Sequence, residues 1–433
     1  MLRLTLPASL VFALVVPIGA APVRPGETPS EGDWPQWRGP NRDGLSTDKG
    51  LLKEWPKKGP TLLWETKGAG RGYASVSIAR GKLFTIGDTS SIADDKDEYV
   101  LCFDASNGKP LWKARIGPQW TGQRNADWQS PRSTPTVDGD RLYALAPGGD
   151  LLCLETATGK EVWRKNLPKD FGGKKGDSWG YSESVLIDGD RLVCTPGGDK
   201  ATMVALNKKT GETIWKAVQS KNTGAGHASI MIAEVGKTRV YVQTTASGAL
   251  GVRAEDGKGL WTYAIDRTTA VIPTPIVRGN LVFFSAGYSR GGALLKQVPD
   301  GDGVKVEEVY GLKKDLNNRH GGVLLVGEHV YGDTDHSGTP FCAELMTGKV
   351  VWKGRGSGKG SAAMGYADGH LYIRYADGTM VLANASTTGY KEVSSFKIPH
   401  SGERPSWSHP VIAGGKMYLR EGDSILCYDV KAK

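Results

Sequence analysis

The 433-residue chain has only seven histidines and five cysteines, and neither type recurs at metal-ligand spacing. A structural zinc site is therefore not expected. No segment sustains a helical repeat of apolar residues, which excludes bundles and doubly wound folds. The longest apolar run, Leu10 to Ile18, is broken by Pro17 and is too short for the ~20 residues of a membrane helix. The net charge of +9 is spread among acidic residues and forms no basic stripe, so nucleic acid is not an expected partner. Ser-His-Asp hydrolysis is not expected either, because no Gly-x-Ser-x-Gly elbow is read in the chain.

What the chain does contain is glycine and proline, 59 and 23 residues, among short β-branched segments. That is the composition of an all-β protein rich in turns. Met1-Leu2-Arg3, the apolar run and the small residues Gly19-Ala20-Ala21 read as a signal peptide over residues 1–21. An exported protein, periplasmic or secreted, follows. Residues 22–59 form an N-terminal extension and 60–433 the folded body.

The body is repetitive. Asn107-Gly108-Lys109-Pro110-Leu111-Trp112 returns as strings ending at Trp163, Trp215, Trp261 and Trp352, each of the form Gly-x-x-x-Trp. Trp64 stands alone before the first full unit, while Tyr310 and Phe396 occupy the tryptophan position in weaker copies. Successive positions lie 42 to 52 residues apart, the length of one four-stranded propeller blade. Strands a and b surround turns such as Val137-Asp138-Gly139-Asp140-Arg141, strand c is the Leu-Cys-Phe type of string, and strand d carries the tryptophan. Glycine supplies the left-handed turn between c and d. Trp64, Trp112, Trp163, Trp215, Trp261 and Trp352 are expected to dock across the seams between blades.

Cys102, Cys153, Cys342 and Cys427 hold the same strand c position in four different blades, too far apart for disulfides, and read as small buried hydrophobes. Strand a starts number eight, near Tyr73, Ser133, Ser182, His227, Pro273, His320, Ser361 and Ser408. The last unit stops at Lys433 without a strand d, so Thr61-Leu62-Leu63-Trp64 is expected to supply it and close the ring.

These units resemble the pyrroloquinoline-quinone repeat superfamily, which contains quinoprotein alcohol dehydrogenases and the non-catalytic BamB-like propellers that assist outer-membrane protein assembly. Asp33-Trp34-Pro35-Gln36-Trp37-Arg38-Gly39-Pro40-Asn41-Arg42-Asp43-Gly44 is similar to the leader of many exported proteins of that group. The resemblance implies an eight-bladed β-propeller. For the dehydrogenases it also implies a vicinal Cys-Cys disulfide on the quinone, a calcium held by Glu and Asn, and a catalytic Asp. No Cys-Cys dipeptide exists here, and the length matches the compact BamB-like form. No cofactor is expected; the quinone (PQQ) and calcium have no supporting motif.

Strand a starts and the long d–a and b–c loops gather at one face. The expected binding residues there are Tyr73, Arg132, Tyr181, Glu183, His227, Arg319, His320, Asp335, His336, Trp407 and His409. Aromatic residues and arginines in this density suit a protein or polymer partner bound by a monomer. A quinone- or calcium-dependent oxidoreductase and a carbohydrate-binding propeller are the alternatives. Asp94-Asp95-Lys96-Asp97-Glu98 reads as a solvated acidic loop, since the calcium-loop spacing and its glycine are missing.

Overall fold

The computed structural model describes residues 32–88, 96–122, 130–219, 224–266, 268–335, 337–399 and 404–433. Residues 1–21, where a signal peptide is expected, and His336 lie outside them. Eight four-stranded antiparallel sheets make an eight-bladed β-propeller. Blade 1 runs from Ser77–Ala79 to Pro110–Pro118, blade 2 from Thr136–Asp138 to Glu161–Asn166, and blade 3 from Leu186–Asp188 to Thr213–Ala217. Blade 4 runs from Met231–Val235 to Gly259–Ala264, blade 5 from Ile276–Arg278 to Gly303–Lys313, and blade 6 from Leu324–Val326 to Val350–Lys353. Blade 7 spans Ala362–Ala367 to Glu392–Lys397. Blade 8 takes Val411–Ala413, Lys416–Glu421 and Ser424–Asp429 from the end of the chain and Thr61–Thr66 from its beginning. Helix among the described residues is limited to Leu167–Phe171 and a 3-10 turn at Lys314–Leu316.

Closure follows the expected route. Thr61–Thr66 pairs antiparallel with Ser424–Asp429, so Trp64 faces Cys427 in register. Arg420 strengthens the same joint, donating to Ala69 and Gly70 carbonyls and to Thr85 and Ile86 of blade 1. Its guanidinium is fully buried.

The docking tryptophans sit as the repeat predicted. Trp163, Trp215, Trp261 and Trp352 are buried, and Trp64 and Trp112 partly so. Several also hydrogen-bond across the seam: the indole N–H of Trp112 donates to the Thr156 carbonyl, Trp163 to Lys208, Trp215 to Ala254 and Trp352 to Ser386. Tyr310 keeps the bond with its hydroxyl, donating to the Leu345 carbonyl at 2.9 Å. Cys102, Cys153 and Cys342 lie opposite Trp112, Trp163 and Trp352 in the ladder, and all five cysteines are free and buried.

One expectation fails locally. Asp97 is at the surface with Arg115, but Glu98 is fully buried and accepts a bond from the Trp120 backbone N–H at 3.0 Å. Burial pushes its carboxyl up to about 8. The charge run hid a strand residue pointing inward; Asp94 and Asp95 lie outside the described residues.

Candidate functional site

The innermost strands are joined by a relay of hydroxyl groups. Each backbone N–H donates to a hydroxyl on the next blade: Ser75 to Thr134, Thr134 to Ser184, Ser184 to Ser229, and Ser229 to Thr274, at 2.9–3.2 Å. Strands a diverge from a common axis, so their first backbone groups have no ladder partner on the inner side, and short hydroxyl side chains satisfy them. Residues two positions earlier, among them Tyr73, Arg132, Ser182 and His227, consequently stand together at one mouth of the channel.

The N-terminal leader closes the channel from the other side. Asp33 accepts from Arg80 in an a–b turn, Asp48 accepts from Gly415 in another, and Trp34 bridges to Ile78. From there Arg38 and Arg42 reach into the ring. Arg42 donates to the carbonyls of Ser184, Val185 and Ile230, and Arg38 to those of Asp43 and Val323. Both arginines hold left-handed backbone, φ 60° and 59°, a conformation unfavourable to a residue with a Cβ. The bonds that the guanidiniums make to carbonyls of the channel wall, Val323 for Arg38 and Ser184, Val185 and Ile230 for Arg42, offset that strain. Burial pushes both side chains down to about 10, so they remain charged at neutral pH.

Above this floor lies a cavity of about 360 Å³. Trp37 and Arg38 form its base; Tyr73, Trp179, Tyr288 and Trp407 supply aromatic wall; Arg132 and Arg319 bring positive charge. The rings are mutually braced. His320 stacks on Trp407 at 4.1 Å, Tyr73 meets Trp407 at 5.1 Å, and the Arg132 guanidinium lies over Tyr73 at 5.2 Å. Trp37 packs edge-on against His409 at 4.5 Å and donates to Thr274. Burial pushes the His409 imidazole down to about 3, leaving it neutral.

Of the residues expected at this face, Tyr73, Arg132, His227, Arg319, His320, Trp407 and His409 line the cavity. Two others point elsewhere. Tyr181 is buried between blades 2 and 3, its hydroxyl donating to the Pro196 carbonyl. Glu183 is buried beneath the wall, accepting from the Thr195 N–H and hydroxyl and from Gln243. Alternation along an extended segment turns both inward, a detail that alignment of blade starts does not resolve. Burial pushes the Glu183 carboxyl up to about 8. Asp335 stands behind the wall, paired with Arg319 at 3.3 Å and accepting from the Tyr288 N–H.

Trp37, Arg38, Asp177 and Ser182 are not among the binding residues expected from the sequence, where Ser182 is a strand a start alone. The signal for the first two was present: a leader with Trp34, Trp37, Arg38 and Arg42 is too rich in large side chains for a solvated tail. For the other two there was also a pattern. Gly176-Asp177-Ser178-Trp179-Gly180 has Gly-x-Ser-x-Gly spacing, but it lies in the d–a loop before blade 3 and not in an elbow. The serine of this loop region that meets His227 is Ser182, not Ser178. His227 contacts it through Nδ1 at 2.7 Å and contacts Asp177 through Nε2 at 2.8 Å.

The quinone and calcium set of the dehydrogenases does not fit the described lining of this cavity. Among the described residues that lining contains no cysteine and no aspartate, glutamate or asparagine. Among the described residues no three His, Cys, Asp or Glu side chains converge in metal-binding geometry.

Residues 96–354 match the family described as outer membrane protein assembly factor BamB. The chain is 23% identical over 293 residues to the BamB of Nitrosomonas eutropha, covering 64% of this chain and 62% of that protein, less than two thirds of its length. Among solved structures, BamB from Moraxella catarrhalis superposes with a TM-score of 0.58 at 13% identity, over 86% of this chain and 99% of that one. Quinohemoprotein alcohol dehydrogenase from Comamonas testosteroni gives 0.60 at 13% identity, over 93% and 81%. At such identities the likeness is one of fold, and the fold carries both binding and redox proteins.

Proposed function

This chain belongs to the family described as outer membrane protein assembly factor BamB, and from that membership we propose an exported binding scaffold, periplasmic or secreted, that engages a protein or polymer partner through one face. The observation that carries the reading is the asymmetry of the channel. One end holds an aromatic-walled cavity with Arg132 and Arg319, while the other is filled by the leader and rimmed by tight turns. A cleft that combines rigid rings with arginines is the composition of an interface hot spot. Its positive charge favours a partner segment carrying acidic groups beside apolar or aromatic ones. The reading requires no resident cofactor. Among the described residues no helix is long and apolar enough to cross a membrane.

The test compares the two faces of one folded protein. Binding of envelope extract or purified candidate partners to the immobilised chain is measured for Arg132→Ala, Arg319→Ala and Trp407→Ala, and for Arg141→Ala and Lys416→Ala on the a–b turns. Loss confined to the first group supports the reading, with at least one variant costing about 2 kcal/mol. Equal loss from both groups refutes it.

A further inference from the structure

Ser182, His227 and Asp177 form a continuous hydrogen-bonded chain at the cavity wall. Asp177 is fixed from two sides, its Oδ1 accepting the Trp179 backbone N–H at 3.0 Å and its Oδ2 accepting from His227 Nε2 at 2.8 Å. With the Nε2 proton directed at the carboxylate, Nδ1 is left as an acceptor, and the Ser182 hydroxyl donates to it at 2.7 Å. Both Ser182 and His227 line the cavity. The order is nucleophile, base and orienting carboxylate, each within hydrogen-bond reach of the next.

Protonation states agree with that order. Burial holds the His227 imidazole down at about 4, aided by Lys175, so the ring is a neutral base at physiological pH. Burial alone would raise Asp177, but His227 and Lys175 together hold it well below the usual carboxylate range, and it stays ionised. Arg132 lies within electrostatic range of both groups and lines the same cavity, where its charge can stabilise a developing oxyanion. A second His-Ser contact, His320 to Ser361, lacks this setting: Ser361 is buried off the cavity wall and the His320 ring is stacked on Trp407.

We propose that Ser182, His227 and Asp177 form an acyl-transfer site that hydrolyses carboxylic esters small enough for the aromatic cavity. This activity goes beyond the binding role and does not depend on it. Ser182 Oγ adds to the ester carbonyl carbon as its proton passes to His227 Nδ1, and the carbonyl π pair moves to oxygen. Collapse of the adduct breaks the ester C–O bond, and the departing alcohol takes the proton from His227. Water then adds to the acyl-Ser182 carbonyl, giving a proton to His227. Collapse breaks the bond to Ser182, which recovers that proton, and the carboxylic acid leaves.

The experiment treats the full exported chain with a fluorophosphonate probe, which loses fluoride on phosphonylating an activated serine, and follows p-nitrophenyl acetate and butyrate hydrolysis in parallel. One adduct per chain is expected, located at Ser182 by fragmentation of the labelled peptide and distinguished from Ser178. Ser182→Ala should abolish it. His227→Gln and Asp177→Asn should each slow labelling and ester turnover by at least about a hundredfold, the usual contribution of a general base. Because adduct mapping uses the unmodified chain, the test survives a variant that fails to fold. No adduct on the wild-type protein, or an adduct at any other serine, overturns the proposal. Ester turnover unchanged in a folded Ser182→Ala protein does so equally.

Discussion

Gly211 lies directly against the ring of Trp163: a Cβ at Gly211 would stand 2.9 Å from Trp163 Cδ2, and the glycine backbone is left-handed at φ 74°. The same contact joins Gly108 to Trp64, Gly159 to Trp112 and Gly257 to Trp215. The glycine of each Gly-x-x-x-Trp unit thus serves two purposes, turning its own hairpin and making room for the aromatic ring of the preceding blade, which for Gly348 is Tyr310. Gly211→Ala should destabilise the fold by about 2–4 kcal/mol, from about 1 of backbone strain and 1–3 of overpacking. Trp163→Ala should cost about 3–5 kcal/mol. Chemical denaturation of the two single variants and the double variant measures both. A double-variant loss well below the sum is expected, because removing the ring relieves the clash.

The leader is a structural part of the ring. Arg42→Ala removes the guanidinium donor from the carbonyls of Ser184 and Ile230, while Val185 keeps the Thr136 hydroxyl. The expected loss is about 2 kcal/mol or more, since each of the two abandoned buried acceptors costs about 1–3. Trimming Pro22 to Gly32 should leave the melting transition unchanged. Removing Pro60 to Thr66, which takes away strand d of blade 8, should give an aggregating product in size-exclusion chromatography.

Arg374 and Arg420 form the most deeply buried polar cluster at the chain closure. Arg374 donates to the Ser408 and Arg420 carbonyls and pairs with Glu421, whose carboxylate also accepts from Ser406. Glu421→Gln keeps the shape but strands a buried guanidinium charge, and a loss of about 3–5 kcal/mol is expected. A change below about 1 kcal/mol would show that the cluster is neutralised by other means.

The pH dependence should carry a signature of Glu183. Its folded carboxyl is raised to about 8 by burial, against the ordinary 4.5, so between these values the folded state binds a proton that the unfolded state has released. Its contribution to stability is therefore full below about 4.5 and declines as pH rises toward 8. His227 acts in the opposite sense: with its folded value lowered to about 4 from 6.5, its contribution is full above 6.5 and is lost as pH falls toward 4. Glu183→Gln should lessen the decline on the alkaline side of a stability-versus-pH curve, leaving the share of Glu98, which is raised to the same value, and should keep the acidic side in place. Melting scans from pH 4 to pH 9 on both proteins decide it.

The amino-acid sequence determined the architecture because a propeller repeat is written locally. The turn glycine, the tryptophan four residues on and the small strand c residue opposite it lie within one hairpin. Their recurrence therefore reports blade number, seam packing and the strand borrowed by blade 8. Residues at strand a starts were legible for the same reason, and Arg132, His227 and Trp407 do reach the cavity. What only the tertiary structure decided is which way the side chains next to them turn and what the leader covers. Tyr181 and Glu183 face inward because each extended residue reverses direction, while Arg42 contacts carbonyls more than 140 residues away in the chain. The Asp177–His227–Ser182 chain joins adjacent blades across a separation of about 50 residues. No spacing rule encodes such a contact; it arises when closure of the ring brings the starts of neighbouring strands around one axis.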